Sequence, residues 1–167
     1  MKKTLCLFTA LIAFPFLSPV TAGEKPFPTK NPVLKFEVPE KWKTESDKDG
    51  SFAMESADGR IAIHFAPVPV EASLEVFEKI LPDMLKDLKD ATVIDKAKEH
   101  TEDGLTGYTA TYAAKIEGKA AMCIFVLFKG EKEQSVLGTI FVEEPETLSK
   151  EDNAEFGAFM KSMKGAK

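Results

Sequence analysis

Residues 120–128 (AAMCIFVLF) are nine consecutive nonpolar residues, and residues 135–142 (SVLGTIFV) form a second nonpolar segment close behind them. An uninterrupted nonpolar run of this length is typical of a β-strand with both faces covered. Gly130 lies between the two segments and predicts a turn, so we expect them to be neighbouring antiparallel strands. Two such strands require one layer of protein above the sheet and another below it.

Five other segments have the alternation of nonpolar and polar residues that predicts half-buried strands. They are residues 33–38, 51–56, 61–66, 92–100 and 107–116. The fourth is mostly polar, which predicts a position near an edge of the sheet. Glycine-containing pairs separate several of these strands, and Asp58-Gly59 in particular predicts a type I′ hairpin turn.

Two segments carry the 3.6-residue period of amphipathic helices. In the first, Ser73 predicts the N-cap and the nonpolar positions continue to Leu88. Pro82 interrupts this pattern and predicts a kink or two short helices that share one nonpolar face. In the second, residues 149–152 (SKED) predict a capping box, and nonpolar residues follow at Phe156, Phe159, Met160 and Met163.

The order of elements is therefore three strands, a helix, four strands and a helix. Short turns between strands favour antiparallel pairing. We predict an α+β fold with a mainly antiparallel sheet of about six to seven strands and helices on both faces, an α/β/α sandwich. Residues 33–167 form one domain, and the proline-rich residues 23–32 form a mobile or extended lead-in.

The N-terminus has the pattern of an export signal. Lys2 and Lys3 precede a nonpolar segment at residues 5–17, and small residues follow at Val20 and Ala22 with the spacing that signal peptidase accepts. The alternative is an N-terminal membrane anchor, but the nonpolar segment is short for a membrane span. We predict that residues 1–22 are a signal peptide cleaved after Ala22, and that the protein is periplasmic or secreted and not integral to the membrane.

Composition excludes several classes of protein. The 167 residues include 22 Lys and Arg against 27 Asp and Glu, for a net charge of −5, which argues against a nucleic acid partner. A hydrophobic fraction of 44% is typical of a folded domain rather than a disordered one. Cys123 is the only cysteine beyond the predicted signal peptide, so the core alone must supply stability without a disulfide.

The start of the domain, Phe36-x-Val38-Pro39-x-x-Trp42, together with the order of strands and helices, resembles the PsbP-like superfamily. The resemblance extends from Val33 to about Lys164. It implies the fold of the extrinsic photosystem II protein and a non-catalytic accessory or binding role. Members use different surfaces for different partners, so the resemblance transfers no functional residue, and fold alone does not set function.

Candidate sites for chemistry are few in this sequence. Glu99, His100, Glu102 and Asp103 could together bind a divalent ion weakly, but a polar hairpin tip is the favoured interpretation of these residues. Residues 45–50 (ESDKDG) match part of an EF-hand loop, but Ser56 stands where the bidentate glutamate belongs. His64 is expected to be a packed or edge histidine, and Cys123 a buried, unreactive thiol.

No nucleophile elbow, dinucleotide fingerprint or P-loop occurs in the sequence. We therefore predict no catalytic, cofactor-binding or metal-binding residues and no cofactor, hence no enzyme. The leading hypothesis is an exported, non-catalytic binding or accessory domain that acts through an unknown protein or envelope component. The alternatives are a small carboxylate-dependent hydrolase and a protein that binds a small ligand or lipid between sheet and helix. A nonpolar cavity under Pro82 would favour the ligand-binding alternative.

Overall fold

The computed structural model describes residues 23–166, so the predicted signal peptide at residues 1–22 lies outside the described residues. Two α-helices are present in the described part of the chain, α1 (Leu74–Leu85) and α2 (Lys150–Ser162), and a short 3-10 turn lies at Pro145–Thr147. The strands are β1 (Glu24–Phe27), β2 (Leu34–Glu37), β3 (Lys43–Ser46), β4 (Phe52–Glu55), β5 (Ile61–Val68), β6 (Lys89–Glu102), β7 (Leu105–Ile116), β8 (Lys119–Lys129), β9 (Ser135–Glu143) and β10 (Lys164–Gly165).

A seven-stranded sheet forms the centre of the protein, in the order β3-β4-β5-β9-β8-β7-β6. All of its neighbouring strands are antiparallel. The two nonpolar segments, now β8 and β9, are neighbours, and Ile124 of β8 faces Ile140 of β9, which also faces Ile63 of β5. The polar strand β6 lies at one edge, as its sequence predicts.

The side chains of β8 alternate between two separate nonpolar clusters because successive residues of a strand point to opposite faces. Cys123, Phe125 and Leu127 pack on one face with Phe77 and Leu81 of α1. The intervening side chains, Val126 and Phe128 among them, pack on the other face with Phe36 and Phe159. Both faces of the central strands are therefore covered.

A second, three-stranded sheet covers part of the face opposite α1. It has the order β1-β2-β10, and all of its pairs are antiparallel. Phe36 of β2 is fully buried, and its ring centroid lies 5.3 Å from that of Phe65 on β5 and 5.8 Å from that of Phe159 on α2. This face is thus covered jointly by a small sheet and by α2.

The predicted α/β/α sandwich, with one sheet between helices on both faces, is wrong. The described strands divide into two sheets, and the layer opposite α1 is built from β1, β2 and β10 as well as α2. The alternation of Leu34 and Phe36 shows that one face of this strand is buried, but alternation does not identify the strand's neighbours. The proline-rich segment 23–32 contains β1, in which Phe27 is 4% exposed.

Both helices begin at the predicted N-caps, whereas α1 ends at Leu85 instead of continuing to Leu88. The backbone N–H of Val76 donates to Ser73 Oγ at 3.2 Å, and that of Asp152 donates to Ser149 Oγ at 3.0 Å. Each bond satisfies one amide that the first helical turn leaves without a partner. Pro82 lies inside α1, which is one continuous helix rather than two short ones.

Two of the hairpin turns have the type I′ conformation, but the turn at Asp58-Gly59 does not. Gly59 has a φ of +78°, whereas Asp58 is not among the described residues with positive φ, and type I′ needs both. The Gly59 N–H donates to the Ser56 carbonyl, so the turn starts one residue earlier than predicted. Positive φ occurs at both central residues of the Asp103-Gly104 and Glu117-Gly118 turns.

Candidate functional site

A groove of about 130 Å³ lies between α2 and the face of the large sheet formed by β7 and β8. Ile124, Val126 and Ile140 line it from the sheet, and Met160 and Met163 line it from the C-terminal end of α2 and the residue that follows. Ile124 and both methionines are only partly buried. We call this feature the α2 groove.

Small side chains on β7 leave the space that the groove occupies. Gly107 and Thr109 line it, and they face Phe128 and Val126 across the β7–β8 pair. A Cβ atom at Gly107 would lie 3.2 Å from the Phe128 ring and 3.1 Å from a backbone carbonyl oxygen. Larger side chains on this face of β7 would fill the groove. The groove therefore depends on the small size of Gly107 and Thr109, and neither residue carries a catalytic signature.

His100 and Glu102 lie at the rim of the α2 groove, where β6 forms its outer wall. They are two residues apart on one strand, so they share a face, and His100 Nε2 is 3.1 Å from Glu102 Oε2. Their side chains are 58% and 74% exposed. His100 and Glu102 thus form a histidine–carboxylate pair that borders the α2 groove and is open to solvent.

The four residues considered for a divalent ion do not converge. Glu99 lies on the other face of β6, where its carboxylate accepts a hydrogen bond from the Tyr108 hydroxyl at 3.4 Å. Asp103 lies in the turn after β6, which leaves only His100 and Glu102 together. Within residues 23–166, no group of three or more His, Cys, Asp or Glu side chains could hold a metal ion.

His64 lies on the face of β5 opposite Ile63 and Phe65, between Ala53 on β4 and Thr139 on β9. Burial holds the pKa of His64 below its usual value, while the nearby carboxylates of Asp47 and Asp49 act in the opposite direction. A half-buried histidine among small side chains fits the prediction of a packed or edge residue.

The acidic loop that partly matches an EF-hand is a turn between β3 and β4. The Asp49 carboxylate accepts hydrogen bonds from the Ser51 hydroxyl and from the Ser51 N–H, the latter at 2.9 Å. These two bonds, the hydroxyl bond foremost, hold the pKa of Asp49 below its usual value. Ser56, in the position of the missing glutamate, is 1% exposed and donates to Asp58 at 2.7 Å. The carboxylate of Asp49 thus serves the turn itself.

Cys123 is fully buried beneath α1, beside Phe125 and Leu127. Burial raises the pKa of its thiol to about 11, because a thiolate is poorly solvated in a nonpolar cluster. The thiol is therefore protonated near neutral pH, as expected for a structural cysteine.

Arg60 is a structural residue that the sequence analysis missed. Its guanidinium donates to the carbonyl oxygens of Glu143, Glu144 and Thr147 at 3.2, 2.8 and 3.0 Å. The acidic segment after β9 is therefore fixed to the β4–β5 turn through its backbone. Arg60 is the only arginine of the chain and directly follows Asp58-Gly59. This single occurrence beside a predicted turn is the one sequence signal that points to a structural role for Arg60.

The α2 groove does not lie under Pro82, where a cavity would favour a protein that binds a small ligand. The α2 groove is on the opposite face of the sheet from α1, and a wider cleft lies between the loops that contain Pro28, Pro67 and Glu131. In residues 23–166, neither helix is long and nonpolar enough to cross a membrane.

Comparisons with known proteins find likeness in fold but not in sequence. No protein-family model and no curated protein matches the chain. LpqN of Mycobacterium tuberculosis, described as involved in cell envelope biogenesis, superimposes with a TM-score of 0.54 at 13% identity, over 85% of this chain and 90% of LpqN. A protein of Bacteroides thetaiotaomicron VPI-5482 superimposes with a TM-score of 0.51 at 14% identity, over 88% of this chain and half of its own length. At such identities the likeness shows the fold alone.

Proposed function

We propose that this protein is an exported, non-catalytic binding or accessory domain that contacts a protein or envelope component through the α2 groove. The observation that carries the proposal is the partly exposed nonpolar lining of this groove, formed by Ile124, Met160 and Met163. Methionine side chains adapt their shape to irregular partners and are common at binding surfaces. A partner side chain or chain terminus would bury this surface and gain hydrophobic free energy.

The cellular setting that we propose is the cell envelope. The N-terminal pattern with cleavage after Ala22 supports export to the periplasm or beyond, and the fold is shared with LpqN, a protein involved in cell envelope biogenesis. We also propose membership of the PsbP-like superfamily, supported by the Phe36-to-Trp42 motif and by the LpqN-like fold. In this family setting a binding role is the natural expectation.

Site-specific photocrosslinking in the native cell tests this proposal. A photoreactive amino acid at Glu102, which is exposed at the rim of the α2 groove and leaves the small side chains of its floor unchanged, is expected to give a reproducible crosslinked species with one envelope component. The matched control places the same group at Glu78, which is exposed on α1 and on the other face of the sheet. Equal labelling from both positions, or none from Glu102, would contradict a binding role for the groove.

A second candidate is a small carboxylate-dependent hydrolase, and the observation in its favour is the His100–Glu102 pair at the groove rim. General acid–base catalysis needs such groups within hydrogen-bond distance of each other and of a substrate. Assays with simple ester, amide and glycoside substrates distinguish the candidates. Turnover that is lost in both His100→Asn and Glu102→Gln would establish the hydrolase, whereas a binding domain gives no turnover to lose.

A further inference from the structure

The outer edge of β6 is long and carries exposed hydrophobic side chains. β6 has 14 residues and ends the seven-stranded sheet, so no other described strand pairs with its outer side. All of its residues are exposed except Ala97, and Val93 and Ile94 are 47% and 55% exposed. A long edge strand with free backbone N–H and C=O groups is a template for pairing with another strand.

We propose that two copies of the chain pair through β6, antiparallel, about a two-fold axis at Ile94. In this register, residues equally distant from Ile94 on its two sides face each other across the interface. Ile94 therefore faces Ile94, and Ala91 faces Ala97. Such an arrangement joins two seven-stranded sheets into one continuous sheet and is isologous, the usual symmetry of homodimers.

The charges of β6 match in this register. Asp90 faces Lys98, and Lys89 faces Glu99. The two-fold axis repeats each contact, so the interface has two copies of each opposite-charge pair and no like-charge pair directly across it. Opposite charges that face each other across antiparallel strands stabilise the pair, and like charges destabilise it.

Neighbouring registers are poorer. An axis at Asp95 places two aspartates against each other, and an axis at Lys96 does the same with two lysines and also brings Asp90 against Glu102. An axis at Val93 gives only one kind of opposite-charge pair, Asp90 with Lys96, instead of two. Charge complementarity therefore selects the register centred on Ile94, which also brings the most exposed large hydrophobic side chain of the described residues to the axis.

The dimer competes with features that protect the edge. β6 shifts its register against β7 at three places between Lys89 and Lys98, and bulges reduce the tendency of an edge to pair. Asp90 already accepts a hydrogen bond from Lys115 at 2.8 Å, and Lys98 lies 3.4 Å from Asp95. We therefore expect a reversible dimer whose population rises with concentration.

Sedimentation of the purified protein over a range of concentrations, combined with a charge swap, tests the proposal. Lys98→Glu and Asp90→Lys each place like charges across the interface twice and are expected to raise the dimer dissociation constant at least about tenfold. The double variant exchanges the two charges and is expected to restore the wild-type constant. Lys96→Glu is the matched control, since Lys96 faces Thr92 and its replacement should leave the constant within about twofold.

Each outcome decides the matter. A protein that stays monomeric at every concentration, or a dimer that is indifferent to Lys98→Glu, overturns the proposal. Loss of the dimer in both single variants without recovery in the double variant excludes the register at Ile94. All three substituted positions are exposed, so circular dichroism is expected to show unchanged folding. The dimer does not depend on the proposed role of the α2 groove, which crosslinking from Glu102 tests separately.

Discussion

Replacement of Phe159 by alanine is expected to remove about 4 kcal/mol from the free energy of unfolding, in the range of buried Phe→Ala substitutions. Phe159 is 1% exposed. Its ring centroid lies 5.8 Å from that of Phe36 on β2 and 6.0 Å from that of Trp42 after β2. This single side chain thus joins α2 to the three-stranded sheet, and its loss leaves a cavity between the two.

The magnitude follows from the area that the ring buries. A buried aromatic side chain removes roughly 150–250 Å² from water, and at about 25 cal/mol per Å² this amounts to about 4–6 kcal/mol. Alanine retains part of the contact, while the unfilled cavity adds to the loss, so the expected value stays near 4 kcal/mol. For a chain of this size, that loss lowers Tm by about 10 °C.

Urea denaturation followed by circular dichroism measures the difference, provided that the m-value is unchanged. Leu74→Ala is the control, because Leu74 is 39% exposed at the start of α1 and its truncation should lose less than about 1 kcal/mol. If Phe159→Ala loses no more than Leu74→Ala, then α2 does not cover the sheet as described, and the account of this layer is wrong.

Three other changes test different parts of the structure. Gly138→Val places a Cβ atom 2.6 Å from Val126 Cγ1, and this overpacking should lower the free energy of unfolding, measured by urea denaturation, by about 1–3 kcal/mol. Gly157→Ala, where a Cβ meets nothing within 4 Å, should instead raise it by about 0.5–1 kcal/mol through helix propensity. Equal effects of the two substitutions would contradict this assignment of space. Burial holds the pKa of folded His64 below its unfolded value of about 6.5. The unfolded chain therefore binds the proton first as pH falls, and stability decreases below about pH 6.5. His64→Gln should flatten the pH dependence of Tm in this range, and an unchanged slope would show that other groups cause the pH dependence. The Cys123 thiol should resist a thiol reagent in the native protein and react fully in urea, whereas fast labelling of the native protein would show that α1 does not protect it.

The features that the sequence predicts well are those set by local periodicity. The continuous nonpolar segments became β8 and β9, neighbours that are covered on both faces. The caps at Ser73 and Ser149 follow from side chains that bond an amide three residues ahead. Such signals extend over only a few residues, so the amino-acid sequence alone is enough to identify them.

The division into two sheets could not be predicted in the same way. The pattern at Leu34 and Phe36 reveals a buried face, yet strands of either sheet would show it. The partner strand β10 is only two residues long, and its Gly165 is required by close packing, since a Cβ there would lie 2.4 Å from the Gly104 carbonyl oxygen. These partners are distant in the sequence, and no periodicity marks them.

The candidate site was missed for a related reason. Gly107 and Thr109 create the α2 groove by being small, and small size on a strand carries no chemical signature. The sequence identifies His100 as a candidate together with Glu99 and Asp103, but the structure does not bring the three side chains together. Glu99 lies on the other face of β6, and Asp103 lies in the turn that follows. Only the fold brings the end of α2 against this part of the sheet.

The small sheet has a consequence for the order of folding. Its middle strand, β2, pairs with β1, which is close in the sequence, and with β10, which is more than a hundred residues away. In contrast, β7, β8 and β9 pair through short hairpins. Closing a loop of more than a hundred residues carries a larger entropic penalty than closing a hairpin. We therefore expect the long central strands to assemble early and β10 to pair with β2 last, so that a nascent polypeptide lacks the third strand of the small sheet until residues 164–165 have been synthesised.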